Sequence, residues 1–241
     1  MNYLRGIRLR EPPARDSYLA GIPAVSWLAR TGELRFEMPV TFFAGENGTG
    51  KSTVLEAVAC AMGFNPEGGS RDHSFSTRDT HSELGDRITC VRLLPPKDGF
   101  FLRAESFYNA ATYLEENGKA ARYGGVSLHE RSHGEAFLAL VRNRFAGHGL
   151  YLLDEPEAAL SAASQLSLLA EMDRLVKEGS QFLIATHSPI LMAYPGADIL
   201  LFSEDGICRT DYRSTDSYRI TRRVLSDPEG ILEILLADGG E

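Results

Sequence analysis

Apolar residues in this chain gather into short runs separated by polar, glycine-rich stretches. Residues 34–36 and 40–44 are short apolar or alternating runs flanking the Met38-Pro39 bend, which predicts two early strands, the second ending at Gly45. From Lys51 the apolar residues Val54, Leu55, Val58, Ala59 and Met62 recur at helical spacing, and Gly63 is placed to end that helix. A glycine-rich loop therefore lies between a strand and a helix. Residues 65–86, rich in Gly, Ser, Asp, Arg and His, read as a long loop. Residues 87–94 and 100–103 follow as strands joined by Pro95-Pro96-Lys97-Asp98-Gly99. Helical patterns over 106–116 and 135–145, with a glycine-containing connection at 118–132, predict a helical subdomain at roughly 105–148.

The second half is more regular. Residues 150–153 form a continuous apolar run, 160–178 an amphipathic helix stopped at Gly179, and 181–185 another apolar run. That alternation predicts an α/β fold with a mostly parallel sheet wrapped by helices. Residues 199–202 and 207–212 bracket Glu204-Asp205-Gly206 as a hairpin, and 218–225 and 231–236 read as closing helices.

Composition narrows the class. With 241 residues, 43% hydrophobic and 24% charged, the chain can bury a full core as a single domain over 1–241. Arg5, Arg8, Arg10 and Glu11 interrupt any N-terminal signal sequence, and no apolar run approaches the roughly 20 residues of a membrane span, so a cytoplasmic protein is expected. Cys60, Cys90 and Cys208 are odd in number and widely spaced; they indicate neither a disulfide framework nor a zinc cluster and read as small buried residues. A net charge of -8 argues against wholesale nucleic-acid binding, which stays possible but not indicated. Repeats and heptads are absent from the sequence.

Candidate chemistry begins at Gly45-Glu46-Asn47-Gly48-Thr49-Gly50-Lys51-Ser52, followed by Thr53. This matches G-x-x-x-x-G-K-[ST], in which glycines let backbone N–H groups curl around phosphate oxygens at a helix N-terminus. Lys51 would reach the β and γ phosphates of ATP, and Ser52 would ligate Mg2+. The run 150–153 ends in Asp154-Glu155, and ligands of parallel sheets sit at the carboxyl ends of strands. Asp154 can hold the metal with Ser52, and Glu155 can polarise an attacking water as general base. Asp-Glu-Pro can also simply cap the following turn.

Taken together these residues resemble the ABC-type ATPases, including their SMC and RecF branch. Ser132-His133-Gly134-Glu135 stands at a predicted helix start, where that class carries its signature. Asp154-Glu155-Pro156 continues into Glu157-Ala158-Ala159-Leu160-Ser161, similar to the segment that meets a partner subunit, and Thr186-His187-Ser188 follows 181–185, where the class carries a switch histidine. The resemblance implies a P-loop fold with helices on both sheet faces, a small antiparallel β portion and a helical signature subdomain. It also implies an ATP-dependent homodimer in which Ser132 and Gly134 of one copy close the nucleotide site of the other. Ser132 with Glu135 equally spells a helix capping box.

Departures accompany the resemblance. Between Ser52 and Ser132 no glutamine occurs, and Glu105 occupies the expected place of the family's metal-contacting glutamine, as a metal ligand or a surface acid. Arg10, Tyr18, Trp27 and Phe36 are candidates to stack on adenine, each with an alternative role in packing or at the surface. The hydroxyl-rich stretch 74–80 reads as a solvated loop, with a lid or partner site as the alternative. Three uses for the ATPase follow: switching an unidentified protein partner, powering a separate membrane permease, or gripping DNA through Arg219, Arg222 and Arg223.

Overall fold

The computed structural model describes residues 2–14, 16–66, 68–69, 83–104 and 132–237. Its frame is a six-stranded sheet ordered β5-β6-β7-β3-β8-β9. The strands are β3 (Val40–Gly45), β5 (Asp98–Arg103), β6 (Gly149–Asp154), β7 (Gln181–Ala185), β8 (Asp198–Ser203) and β9 (Gly206–Arg209). All neighbours pair in parallel except β9, which returns from β8 as a hairpin with Ser203 opposite Gly206. Central strands of a parallel sheet are covered on both faces, which is why β6 and β7 are apolar or buried throughout.

Alternation along β3 divides the core. Phe42 joins Phe137, Leu140, Tyr151, Leu168 and Met172 on one face, beneath α4 (His133–Arg144) and α5 (Ala162–Lys177). Phe43 joins Val25, Leu55, Val58, Leu183 and Phe202 on the other, beneath α1 (Pro23–Thr31) and α2 (Lys51–Ala61). A second, antiparallel sheet, ordered β2-β1-β4, is built from β1 (Leu4–Leu9), β2 (Glu33–Arg35) and β4 (Ile88–Arg92). It is tied to the main sheet by the buried Gln181 side chain, which accepts from Leu4 N–H at 2.9 Å and donates to Leu4 O at 2.8 Å. The chain closes with α6 (Asp216–Ser226) and α7 (Pro228–Ala237).

Expectation and structure differ in places. Residues 65–86 are not loop throughout: a short helix, α3 (Leu84–Arg87), begins inside them, and Gly69 bridges to Phe101; 70–82, including 74–80, lie outside the described residues. β4 stops at Arg92, leaving Leu93 and Leu94 exposed before the proline pair, and β5 starts earlier than expected because β6 offers pairing from Asp98 onward. β9 ends at Arg209, with Tyr212 in a separate turn. Of the expected subdomain 105–148, residues 105–131 lie outside the described residues, while α4 buries Phe137, Leu140 and Val141 in the sheet core. Cys208, expected to be buried, is exposed, since β9 is an edge strand; Cys60 and Cys90 are half-buried, and burial pushes each thiol up to about 11. No helix among the described residues is long and apolar enough to cross a membrane.

Candidate nucleotide site

The loop from Gly45 to Gly50 joins β3 to α2 at the carboxyl edge of the sheet. Gly45 has φ +130, and a Cβ there would lie 2.0 Å from Phe202 O on the neighbouring strand β8. Gly50 has φ +101, and a Cβ would lie 2.5 Å from Ile22 Cγ2 and 2.9 Å from Ala24 Cβ. Both positions need left-handed backbone and close approach, which glycine alone supplies without strain. α1 braces the loop from outside, since Ala24 N–H donates to Thr49 O at 3.2 Å. Glu46, Asn47 and Gly48 form an exposed crest; Thr49 Oγ donates to Glu46 O at 2.8 Å.

Lys51 opens α2, is 4% exposed, and donates from Nζ to Gly45 O at 2.8 Å and Glu46 O at 2.7 Å. Burial lowers its pKa, opposed by the carboxylates of Glu155, Asp154, Glu157 and Glu46. No side chain caps the N-terminus of α2, whose N-cap is Gly50, so the first-turn N–H groups and the helix dipole favour an anion there. Ser52, half-buried beside the lysine, donates from Oγ to Asp154 Oδ1 at 2.8 Å across 102 residues of chain. Thr53 follows in the same helical turn.

Asp154 ends β6, aligned with Arg103 on β5 and Ala185 on β7. Arg103 sits 3.5 Å from Asp154 Oδ2 and pairs with Glu56 Oε2 at 2.9 Å, so one guanidinium links α2 to the acidic strand end. Glu155 then adopts φ +48, a left-handed conformation that a glutamate rarely takes, and its N–H donates to Ala185 O at 2.9 Å. Its side chain is 40% exposed. His187, just beyond β7, brings Nε2 to 3.8 Å from Glu155 Oε1, and that nitrogen is shielded from solvent without a hydrogen-bond partner. Its backbone N–H donates to Glu157 Oε1 at 2.6 Å.

The structure thus brings together Gly45 to Thr53, Asp154, Glu155 and His187. Ser132 and Gly134 have other neighbours within the chain. Ser132 caps α4: its Oγ accepts weakly from Glu135 N–H at 3.4 Å, while Glu135 Oε2 takes the Ser132 N–H at 3.0 Å and hydroxyl at 2.6 Å. This is the capping box that the sequence also spelled. Gly134 packs against the turn after the acidic pair, where an added Cβ would lie 3.3 Å from Ala159 O and 3.4 Å from Ser164 Oγ. Glu105 lies outside the described residues.

Of the aromatic candidates for adenine, Phe36 is buried and stacks on Phe43 at 5.9 Å, and Trp27 is half-buried and packs over Gly206. Arg10 donates to Asp86 O at 2.6 Å, whereas Tyr18 is 63% exposed in the turn leading toward α1. Sequence reasoning missed Arg103, and named Glu157 only as part of a segment similar to one that meets a partner subunit. The register of β5 against β6 reveals the first, and the approach of the 187 backbone to the acidic turn reveals the second; neither is written in local sequence.

A family model described as an AAA domain matches residues 25–131. The chain is 31% identical over 169 residues to the iron(3+)-hydroxamate import ATP-binding protein FhuC of Bacillus subtilis (strain 168), across 61% of this chain and 62% of that protein. It is 31% identical over 77 residues to an uncharacterized ABC transporter ATP-binding protein of Haemophilus influenzae, across 32% of this chain and 29% of that protein. It therefore spans less than two thirds of the length of these curated relatives. Similar solved structures include cbiO1 from Clostridium perfringens, part of the ABC transporter complex cbiONQ, with a TM-score of 0.48, 15% identity and coverage of 93% of this chain and 96% of that one. The SMC head domain from Thermotoga maritima gives a TM-score of 0.46, 14% identity and coverage of 87% and 100%.

Proposed function

We propose that the chain is an ABC-type P-loop ATPase that binds and hydrolyses Mg-ATP at a site shared by two copies of itself, switching a protein partner as the pair closes. The observation that carries this reading is the 2.8 Å bond from Ser52 Oγ to Asp154 Oδ1 beside the buried Lys51. A helix start and a strand end remote in sequence meet there with hard oxygen donors, the type that Mg2+ prefers. Ser52 and Asp154 would hold that ion, which when bound supplies charge stabilisation on the phosphate oxygens.

The remaining proposed roles draw support from the geometry. Lys51 exchanges its two carbonyl partners for β and γ phosphate oxygens, and the N–H groups of the loop and first turn of α2 cradle the phosphates. Glu155, in its left-handed backbone conformation just past the strand end, orients and polarises the attacking water. The unmatched Nε2 of His187 donates to the γ phosphate. Ser132 and Gly134 of the second copy supply the closing clamp at the N-terminus of α4, with the Ser132 hydroxyl turning from Glu135 to phosphate. Tyr18, exposed near the brace of the loop, stacks on adenine.

Titration calorimetry with Lys51→Ala tests the base of this reading. The variant is expected to lose ATP binding while remaining folded, and an affinity equal to wild type removes the phosphate-loop assignment. A second reading makes the chain the nucleotide-binding subunit of a transporter, facing the cytoplasm beneath a separate permease. The likeness to FhuC favours it, together with the apolar groove between α5, the 189–193 segment and α6, lined by Leu166, Ile190, Tyr218 and Leu225. Recovery of a membrane permease with the ATP-trapped chain from native cells would put this reading first.

A further inference from the structure

Glu157 is a third carboxylate in the acidic turn, and the reaction outlined above leaves it without a role. It lies in the 3-10 turn Pro156–Ala159 that follows Glu155. Its Oε1 accepts the His187 N–H at 2.6 Å, while its Oε2 is shielded from solvent and unmatched. The amides around it have neutral partners: Thr186 N–H donates to Phe43 O at 3.1 Å, and Ser188 N–H to Thr186 Oγ at 2.9 Å. His187 instead leans on a carboxylate, a charge-assisted bond roughly twice as strong as a neutral one.

That bond fixes the backbone from which the imidazole projects, with Nε2 3.8 Å from Glu155. Two residues joined by one hydrogen bond thus each keep one buried polar atom unmatched, Glu157 Oε2 and His187 Nε2. Buried polar atoms are nearly always satisfied, so such a pair marks a place completed by water or ligand. The Glu157 charge also acts on the Lys51 ammonium, which places it within the electrostatic surroundings of the phosphate loop.

We propose that Glu157 is a positioning residue, which through the His187 N–H holds the imidazole beside Glu155 and so ties the acidic turn to the switch histidine. This rests on the Mg-ATP reading above. Loss of the bond releases the backbone at residue 187 and misplaces Nε2, while the loop that binds the nucleotide keeps its own supports.

The test compares Glu157→Ala, which removes the acceptor, with Glu157→Gln, whose amide oxygen can still accept from His187. Glu157→Ala is expected to lower kcat about 10- to 100-fold with KM for ATP changed less than about threefold, the pattern of misplaced chemistry rather than lost binding. Glu157→Gln should return to within about fivefold of wild type. In a His187→Ala background, adding Glu157→Ala should cost less than about twofold more, because Glu157 acts through the histidine. Equal losses in both backgrounds, or a Gln variant as slow as Ala, overturn the proposal.

A second measurement needs no turnover. In the nucleotide-free protein the His187 amide proton should lie downfield in wild type and Glu157→Gln, and move upfield in Glu157→Ala. An unmoved amide in an active enzyme overturns this inference alone. A moved amide in a chain that hydrolyses no Mg-ATP overturns the proposed function and the kinetic half of this inference together.

Discussion

Single residues in the phosphate loop are constrained by different neighbours, and the kind of neighbour sets the expected cost of change. At Gly45 an added methyl would meet a backbone oxygen, Phe202 O, which cannot retreat without disturbing the pairing of β3 with β8. At Gly50 it would meet the Ile22 methyl and Ala24 Cβ, which can shift slightly. Gly45→Ala should therefore cost on the order of 3 kcal/mol or more in denaturant unfolding, and Gly50→Ala about 1–3 kcal/mol. Equal costs would show that the left-handed backbone, rather than the neighbour, dominates. Much of this scale was legible in sequence, because G-x-x-x-x-G-K-[ST] is a contiguous pattern with a backbone rationale. Asp154 and Glu155 were legible as the end of an apolar strand. Glu157 and Arg103 were not, since their roles depend on which strand ends lie side by side.

At the scale of elements, β5 and β6 are held by a polar cluster at their amino ends as well as by the core. Tyr151 Oη donates to Asp98 Oδ2 at 2.7 Å and accepts from Ala146 N–H at 2.7 Å, its ring stacks on Phe145 at 4.1 Å, and Arg144 pairs with Asp98 at 2.7 Å. Burial pushes the Asp98 carboxyl up, but the bonds from Arg144 and Tyr151 outweigh it and leave the pKa below its ordinary value. Burial and the adjacent Asp98 push the Tyr151 phenol up, so it stays protonated as a donor. Tyr151→Phe should destabilise by about 1–3 kcal/mol near neutral pH. Because the folded Asp98 pKa is depressed, its contribution is present above the unfolded value near about 4 and is lost as pH falls through the folded value. The penalty of Tyr151→Phe should accordingly shrink below about pH 4, and a constant penalty down to pH 2 would detach it from Asp98. The strand–helix rhythm from β6 to β8 was read directly from apolar runs. β1 escaped because Arg5, Gly6 and Arg8 break its alternation and its partner β4 comes some 80 residues later. α1 did carry local signals, Pro23 at its start and Gly32 in left-handed conformation at its end.

At the scale of the whole molecule, the residues assigned to one nucleotide fall into two groups. The phosphate loop, Asp154, Glu155 and His187 converge within the chain, whereas Ser132 and Gly134 meet the turn after the acidic pair and a cap of their own helix. In the proposed shared site, a second copy related by a two-fold axis brings each clamp to the other's phosphate loop and completes both sites at once. The sequence motifs were readable one by one, and the resemblance already implied that Ser132 and Gly134 serve the other copy; the fold adds which neighbours each group has within the chain. The most direct test is the mass of Glu155→Gln in solution, measured by size-exclusion chromatography with light scattering, with and without Mg-ATP. With binding intact and hydrolysis blocked, the account predicts a shift with Mg-ATP to about twice the 26.5 kDa of one chain, abolished by adding Lys51→Ala. A species that binds Mg-ATP at saturation yet stays at 26.5 kDa would contradict the shared site.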